Sequence, residues 1–132
     1  MSATPLAERL GPLATEETDP DLVLHVARRY GERRRGLARM EPMPPDHALH
    51  ILRTNSVHTF GMRFALDLVW LGRGGRVVRI DRDVAPRRMK SCLRARSVVE
   101  TCAGHGERFA AAMSGSHQAS GEAPASGYTR PR

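Results

Sequence analysis

The chain has 132 residues and a formal net charge of +7, from 21 Lys and Arg residues against 14 Asp and Glu residues. This length allows one small domain, and without an apolar run of about 18 residues we expect no membrane-spanning helix. The N-terminus shows no basic start followed by an apolar stretch, which favours a cytoplasmic protein. In that compartment Cys92 and Cys102 are expected to be reduced thiols.

Both ends of the chain have compositions that are unfavourable for folding. Residues 1–21 are acidic with few periodic apolar positions, and residues 114–132 are mostly Ser, Gly, Ala and Pro. Such segments bury too little apolar surface to offset the entropy lost on ordering. We therefore expect a flexible acidic N-terminal segment over 1–21, a single domain over 22–113 and a disordered C-terminal tail over 114–132.

Short apolar segments predict a β-rich domain. Residues 22–27, 48–53 and 97–101 are short and rich in Val, Leu and Ile, as strands usually are. A short helix is expected to begin near Glu32. Three prolines within residues 41–46 then predict a loop.

The clearest hairpin lies in the middle of the chain. Residues 66–71 are apolar except for Asp67, residues 72–75 read Gly-Arg-Gly-Gly, and residues 76–80 return. The glycines tolerate the positive φ angles that tight hairpin turns require. Residues 81–90 are polar and basic and predict a loop, while residues 106–113 predict one or two helical turns.

Positive charge is concentrated in the foldable part of the chain. Residues 22–112 hold 18 Lys and Arg against 8 Asp and Glu, a net charge of +10, and Lys90 is the only lysine. Two explanations are open for this excess of arginine. One is a basic surface that binds phosphate or acidic partners, and the other is the codon usage of a GC-rich genome. The anion-binding candidates are members of the two basic runs, Arg34, Arg35, Arg87 and Arg88.

Aromatic residues limit what this basic surface is expected to recognise. Base stacking requires exposed aromatic side chains, and the pattern around Phe60, Phe64 and Trp70 is typical of core residues. We therefore expect any binding of nucleic acid to be nonspecific.

Asp67 is the most informative single residue, because it interrupts an apolar strand. A buried carboxylate must be paired or hydrogen-bonded, so it accepts backbone N–H bonds or pairs with an arginine, or else it anchors a ligand. Other polar residues lie close by in the sequence. The candidate ligand-binding residues are Arg53, His58, Thr59, Arg63 and Asp67.

No motif predicts catalytic chemistry. Ser56 lacks the Gly-x-Ser-x-Gly elbow that exposes a nucleophile, and the cysteines do not form a Cys-x-x-Cys pair. The spacing of His47, His50 and His58 does not force them to converge on a metal ion. We therefore predict no catalytic residue, no metal ion and no cofactor.

An ordered set of short motifs resembles the bacterial and archaeal family called domain of unknown function 192. The motifs are Arg-Gly-Leu at 35–37, Phe-Gly-Met-Arg-Phe-Ala-Leu-Asp at 60–67, Gly-Arg-Val-Val at 75–78, and Val-Val-Glu at 98–100 followed by Ala-Gly at 103–104. The resemblance implies a compact β-rich α+β domain, with a mostly antiparallel sheet or a small half-barrel and one or two short helices. The family's final strand is not evident after Gly104, which would leave a sheet edge in need of cover.

The sequence thus predicts a non-enzymatic binding or accessory module for a small or anionic ligand or a protein partner. One alternative is nonspecific binding of nucleic acid or phosphate through the arginine-rich surface. Another is a hydrolase-type enzyme that uses the region of His58 and Asp67. The partner and the oligomeric state stay open at this point.

Overall fold

The computed structural model of this chain describes residues 6–11, 13–16, 21–28 and 43–121. Its centre is a six-stranded sheet in the order β1-β2-β3-β8-β5-β6, accompanied by a two-stranded sheet of β4 and β7. The strands are β1 (Ala14–Glu16), β2 (Val23–Ala27), β3 (His47–Leu52), β4 (Ser56–His58), β5 (Leu66–Leu71), β6 (Val77–Val84), β7 (Met89–Ser91) and β8 (Ser97–Cys102). The described helices are α1 (Leu6–Leu10) and α2 (Gly106–Gly121), and a 3-10 turn spans Arg73–Gly75.

The strand pairing confirms a β-rich α+β fold with a mostly antiparallel sheet. Within the described part of the main sheet, β2 and β3 pair in parallel, and the remaining pairs are antiparallel. A parallel pair requires a crossover connection, and most of the residues between β2 and β3 lie outside the described ranges. The sheet is open, with β1 and β6 at its edges, and it is not a closed barrel.

The main sheet has an apolar core on each face, because successive residues of a strand point to opposite sides. One face, called here the α1 face, carries Trp70 and Val98 together with Leu10 of α1. The other, the α2 face, carries Val69 and packs against Phe109 of α2. Both faces are therefore covered, as the nearly continuous apolar sequence of β5 requires.

The predicted strands at 22–27, 48–53, 66–71 and 97–101 are confirmed to within one residue at either end. The predicted loop over 81–90 is wrong, because β6 continues to Val84 and β7 begins at Met89. β7 is stabilised by pairing with β4, about thirty residues earlier in the chain. The local sequence contains no sign of that partner.

Regular structure also occurs in the segments that the composition predicted to be irregular. Leu10 of α1 is fully buried, and β1 pairs with β2 and covers its outer edge. The final helix runs on to Gly121 instead of ending near residue 113. Neither described helix combines the length and apolar character that crossing a membrane requires.

Part of the predicted architecture lies outside the described residues. This applies to the helix expected to begin near Glu32 and to the anion-binding candidates Arg34 and Arg35, which fall between Arg28 and Met43.

Candidate functional site

Asp67 lies at the start of β5, on the α2 face, with only 2% of its surface exposed. The pairing of β5 with β6 is irregular here, because Leu66 pairs with Val84 whereas Leu68 pairs with Asp81. One extra residue of β6 therefore forms a bulge opposite Asp67. Within the bulge Asp83 has a φ of 52°, and its N–H donates to Oδ1 of Asp67 at 2.8 Å.

The second carboxylate oxygen of Asp67 holds the start of α2. Oδ2 accepts the N–H groups of Gly104 at 3.1 Å and Gly106 at 2.8 Å. The first N–H groups of a helix have no partner within the helix, and a negative charge there is favourable. We call this arrangement of Asp67, Asp83, Gly104 and Gly106 the Asp67 corner.

Gly106 is required by the close approach of the helix to Asp67. A Cβ atom at this position would lie 2.8 Å from the Cβ of Asp67 and 2.9 Å from its Oδ2. The missing side chain thus permits the hydrogen bond between Gly106 and Asp67. A cavity of about 370 Å³ adjoins the corner. Three backbone N–H groups already donate to the Asp67 carboxylate, however, so the position of Asp67 fits a structural role.

Thr59 also makes hydrogen bonds that hold backbone segments together. Its Oγ1 donates to the carbonyl of Ala85 at 2.8 Å and accepts the N–H of Arg88 at 2.7 Å. The side chain is buried. Thr59 therefore fixes the turn that leads into β7.

None of the three described cavities is lined by more than one of the five candidate ligand-binding residues. Arg53 lines one cavity and Asp67 another. His58 is exposed on the small sheet, where it pairs in register with Met89. Arg63 is exposed in the segment before β5, and it lines none of the described cavities.

Five exposed arginines converge at the opposite end of β5 from Asp67. Two cavities lie here, of about 470 Å³ and about 310 Å³. The first is lined by Arg73, Arg76 and Arg94, and the second by Arg53 and Arg96. We call this surface the arginine end. Among the described residues that line the two cavities there is no carboxylate.

Backbone hydrogen bonds bring these arginines together from distant parts of the chain. The N–H of Arg96 donates to the carbonyl of Leu71 at 2.7 Å, and the N–H of Thr54 donates to the carbonyl of Arg96 at 3.1 Å. The segment before β8 is thereby fastened to the ends of both β3 and β5. No linear motif marks this convergence, so the sequence pointed to Arg53 alone, and as part of a different site.

The predicted anion-binding residues Arg87 and Arg88 are exposed in the turn between β6 and β7. Arg87 has a φ of 66°, and the turn is tied to Thr59, whose carbonyl accepts the Arg87 N–H at 3.2 Å. The turn that carries them therefore lies beside Thr59 and Phe60, away from the arginine end.

Glu100 is a buried carboxyl group that the sequence analysis did not single out. It lies on the α1 face with 4% of its surface exposed, between Leu49 and Leu68 on the neighbouring strands. Within the described structure its Oε1 has no hydrogen-bond partner. Burial penalises the charged form and raises the pKa of Glu100 to about 8.

The histidines are divided between separate places. His25 and His47 stack with ring centroids 5.1 Å apart and share a 2.9 Å contact from Nε2 to Nδ1. Burial, followed by repulsion from His47, lowers the pKa of His25. His50 bonds to Ser97 Oγ at 2.8 Å on the α2 face. No group of three or more His, Cys, Asp or Glu side chains in the described ranges is arranged to hold a metal ion.

Comparison with known proteins supports the fold. The model of the family DUF192, described as "Uncharacterized ACR, COG1430", matches residues 13–113. No curated protein matches the chain. Two crystal structures are similar, each with a TM-score of 0.61 over 67% of this chain.

The first of these structures is a "putative transcription regulator" from Sinorhizobium meliloti 1021, with 21% identity and 74% of its chain covered. The second is a protein of unknown function from Novosphingobium aromaticivorans DSM 12444, with 19% identity and 68% of its chain covered. Likeness at these identities shows the shared fold alone.

Proposed function

Because the chain belongs to the DUF192 family, whose description assigns no activity, we propose from its own geometry that it is a binding module for a phosphate-bearing anion. The proposed site is the arginine end. Guanidinium groups match phosphate oxygens with two parallel hydrogen bonds. Five of them around two cavities at the same end of the sheet provide the positive field that attracts such a ligand.

The observation that carries the proposal is the lack of neutralising carboxylates among the described lining residues. Two other exposed arginines pair with carboxylates. Arg79 lies 2.9 Å from a carboxylate oxygen of Asp81, and Arg82 pairs with Glu107. Like charges repel when they are held close together, so a bound anion would stabilise the arginine end.

The hydrolase-type alternative has less support. Asp67 already accepts three backbone N–H bonds, and His58 lies on the separate small sheet. A general base must reach the proton that it abstracts. A cytoplasmic location is part of the proposal, since Cys92 and Cys102 are free thiols.

Titration with inorganic tripolyphosphate tests the proposal. We expect the anion to raise the melting temperature of the wild-type chain and to bind at low ionic strength in calorimetry. Arg94→Gln combined with Arg96→Gln should weaken binding by at least about tenfold, since hydrogen bonds to charged groups are among the strongest. The matched control is Arg82→Gln, which removes an exposed arginine that lies beside the Asp67 cavity.

Two results would overturn the proposal. One is that tripolyphosphate does not bind at low salt, and the other is that Arg82→Gln weakens binding as much as the double substitution does.

A further inference from the structure

Phe60 is exposed, although the sequence pattern predicted a core position. Half of its surface, 52%, is open to solvent. The reason is a tight turn, in which Gly61 has a φ of 83° and the N–H of Met62 donates to the carbonyl of Thr59 at 3.1 Å. The turn directs Met62 against the core and leaves Phe60 on the surface.

The exposed ring of Phe60 continues into the outer face of the small sheet. Its centroid lies 5.5 Å from that of His58, and His58 pairs in register with Met89, another exposed apolar side chain. Val57, on the inner face, packs against the core of the α1 face. His58, Phe60 and Met89 therefore form one exposed surface, which we call the Phe60 platform.

The arginine end adjoins the other end of the same small sheet. Thr54 and Asn55 line its smaller cavity and come directly before β4. The carbonyl of Asn55 accepts the N–H of Cys92 at 2.8 Å, which joins the two strands there. From Thr54 to Phe60 the chain covers six residues, on the order of 20 Å when extended.

The two segments that carry the small sheet have basic residues and no acidic ones. Residues 53–60 and 87–96 contain no Asp or Glu. They contribute positive charge at both ends of the small sheet, from Arg53, Arg94 and Arg96 at one end and Arg87 and Arg88 at the other. A ligand lying along the outer face would meet guanidinium groups, then an aromatic platform, then further guanidinium groups.

Resting on the proposed function of the arginine end, we propose that its anion is single-stranded nucleic acid, with phosphates on the arginine end and a base stacked on Phe60. Single strands combine repeated phosphates with exposed planar bases, and their binding proteins combine basic grooves with aromatic platforms. A duplex keeps its base faces inside the stack and cannot use Phe60. An acidic peptide matches the charge but supplies no repeated planar group for the platform.

Fluorescence anisotropy with two labelled strands tests the inference on the full chain. One strand is oligothymidylate of about 12 nucleotides, within the range of known site sizes; the other is an abasic strand of equal length and charge. We expect the base-containing strand to bind about tenfold more tightly, from the stacking of one base. Phe60→Ala should abolish this difference, and Phe60→Tyr should keep it. Leu93→Ala, which truncates another exposed apolar side chain, should leave it unchanged.

The possible failures are distinguishable. Equal binding of both strands, with no effect of Phe60→Ala, overturns the single-strand inference and leaves the anion proposal standing. No binding of either strand at low salt, while tripolyphosphate still binds, overturns the single-strand inference alone, and no binding of tripolyphosphate as well overturns both. Tighter binding of a duplex or of a polyglutamate peptide also overturns the inference, the latter in favour of an acidic protein partner. If Phe60→Ala lowers the melting temperature, the comparison of the two strands on the wild-type and Phe60→Tyr chains decides the outcome.

Discussion

The Asp67 corner and the arginine end lie at opposite ends of β5. The charge is buried and hydrogen-bonded at the corner, whereas the charges at the arginine end are exposed. At the corner, the carboxylate of Asp67 is buried and accepts three backbone N–H groups from β6, a turn and α2. At the arginine end, five exposed guanidinium groups surround two cavities whose described lining contains no carboxylate. A buried charge that is hydrogen-bonded by the chain itself stabilises the fold, whereas a cluster of exposed like charges is suited to a partner from outside.

The largest expected effect is that of Asp67→Ala. The substitution leaves three backbone N–H groups, two of them partly buried and that of Gly106 buried, without their acceptor, and we expect the free energy of unfolding to fall by about 3–5 kcal/mol. Urea denaturation measures this loss. Asp67→Asn, which keeps one acceptor oxygen, should lose less. A loss below about 1 kcal/mol for the alanine variant would show that Asp67 contributes no more to stability than an ordinary surface residue does.

Glu100 is buried like Asp67, but its Oε1 has no hydrogen-bond partner in the described structure. Its titration therefore shows how much a buried carboxylate without such partners destabilises this sheet. Its pKa in the folded chain is about 8, above the unfolded value of 4.5. The folded state therefore holds its proton more tightly, and the associated stability is full below about pH 4.5 and is lost as the pH rises towards about 8. Relative to Glu100→Gln, the wild-type chain should lose on the order of 2–4 kcal/mol between about pH 5 and about pH 8.

Chemical denaturation at a series of pH values, with both proteins measured side by side, checks this prediction. The difference between them isolates Glu100 from the titration of His25, whose lowered pKa acts in the opposite direction. Parallel stability curves for the two proteins would show that Glu100 has a stabilising partner.

Gly106→Ala should have a smaller effect at the same corner. The new methyl group would lie 2.8 Å from the Cβ of Asp67, so we expect a loss of about 1–3 kcal/mol from overpacking, despite the higher helix propensity of alanine. A double-mutant cycle supplies the control. In the Asp67→Gly background the Cβ and the carboxylate atoms that the methyl group would meet are all gone, and the penalty should shrink. An unchanged penalty would place the strain elsewhere.

The smallest expected change in stability is at the arginine end. Arg94→Gln combined with Arg96→Gln should alter the free energy of unfolding by no more than about 0.5 kcal/mol per site, because both side chains are exposed. Their structural hydrogen bonds are largely made by the backbone, as in the bond from Arg96 N–H to Leu71. A large loss of stability in thermal denaturation would assign these arginines to the fold and weaken the contrast with Asp67.

The sequence predicted the central strands well, because their apolar runs are local signals. It could not predict β7, whose partner β4 is remote, or the burial of Leu10, which depends on contacts formed only in the folded sheet. Asp67 was noticeable because it interrupts an apolar strand, yet the sequence left open whether it binds a ligand or the backbone. Only the bulge at Asp83 and the approach of Gly106 show that backbone N–H groups meet it.

The arginine end and the Phe60 platform show a different limit of prediction from sequence. Arg53, Arg76 and Arg96 are separated by about twenty residues each, and only the ends of strands β3, β5 and β8 bring them together. The sequence pattern predicted Phe60 to be a core residue together with Phe64 and Trp70, but a turn at Gly61 leaves Phe60 on the surface. Surface sites assembled from turns depend on topology, which periodicity does not encode.

The salt dependence of binding tests the central claim most directly. For an abasic single strand, the plot of log affinity against log salt concentration has a slope set by the number of phosphates that the protein neutralises, about 0.7 per contact. We predict that Arg94→Gln combined with Arg96→Gln makes this slope shallower by about 1–2 at an unchanged melting temperature, while Arg82→Gln leaves it as in the wild type. Identical slopes for all three proteins would contradict the assignment of anion binding to the arginine end.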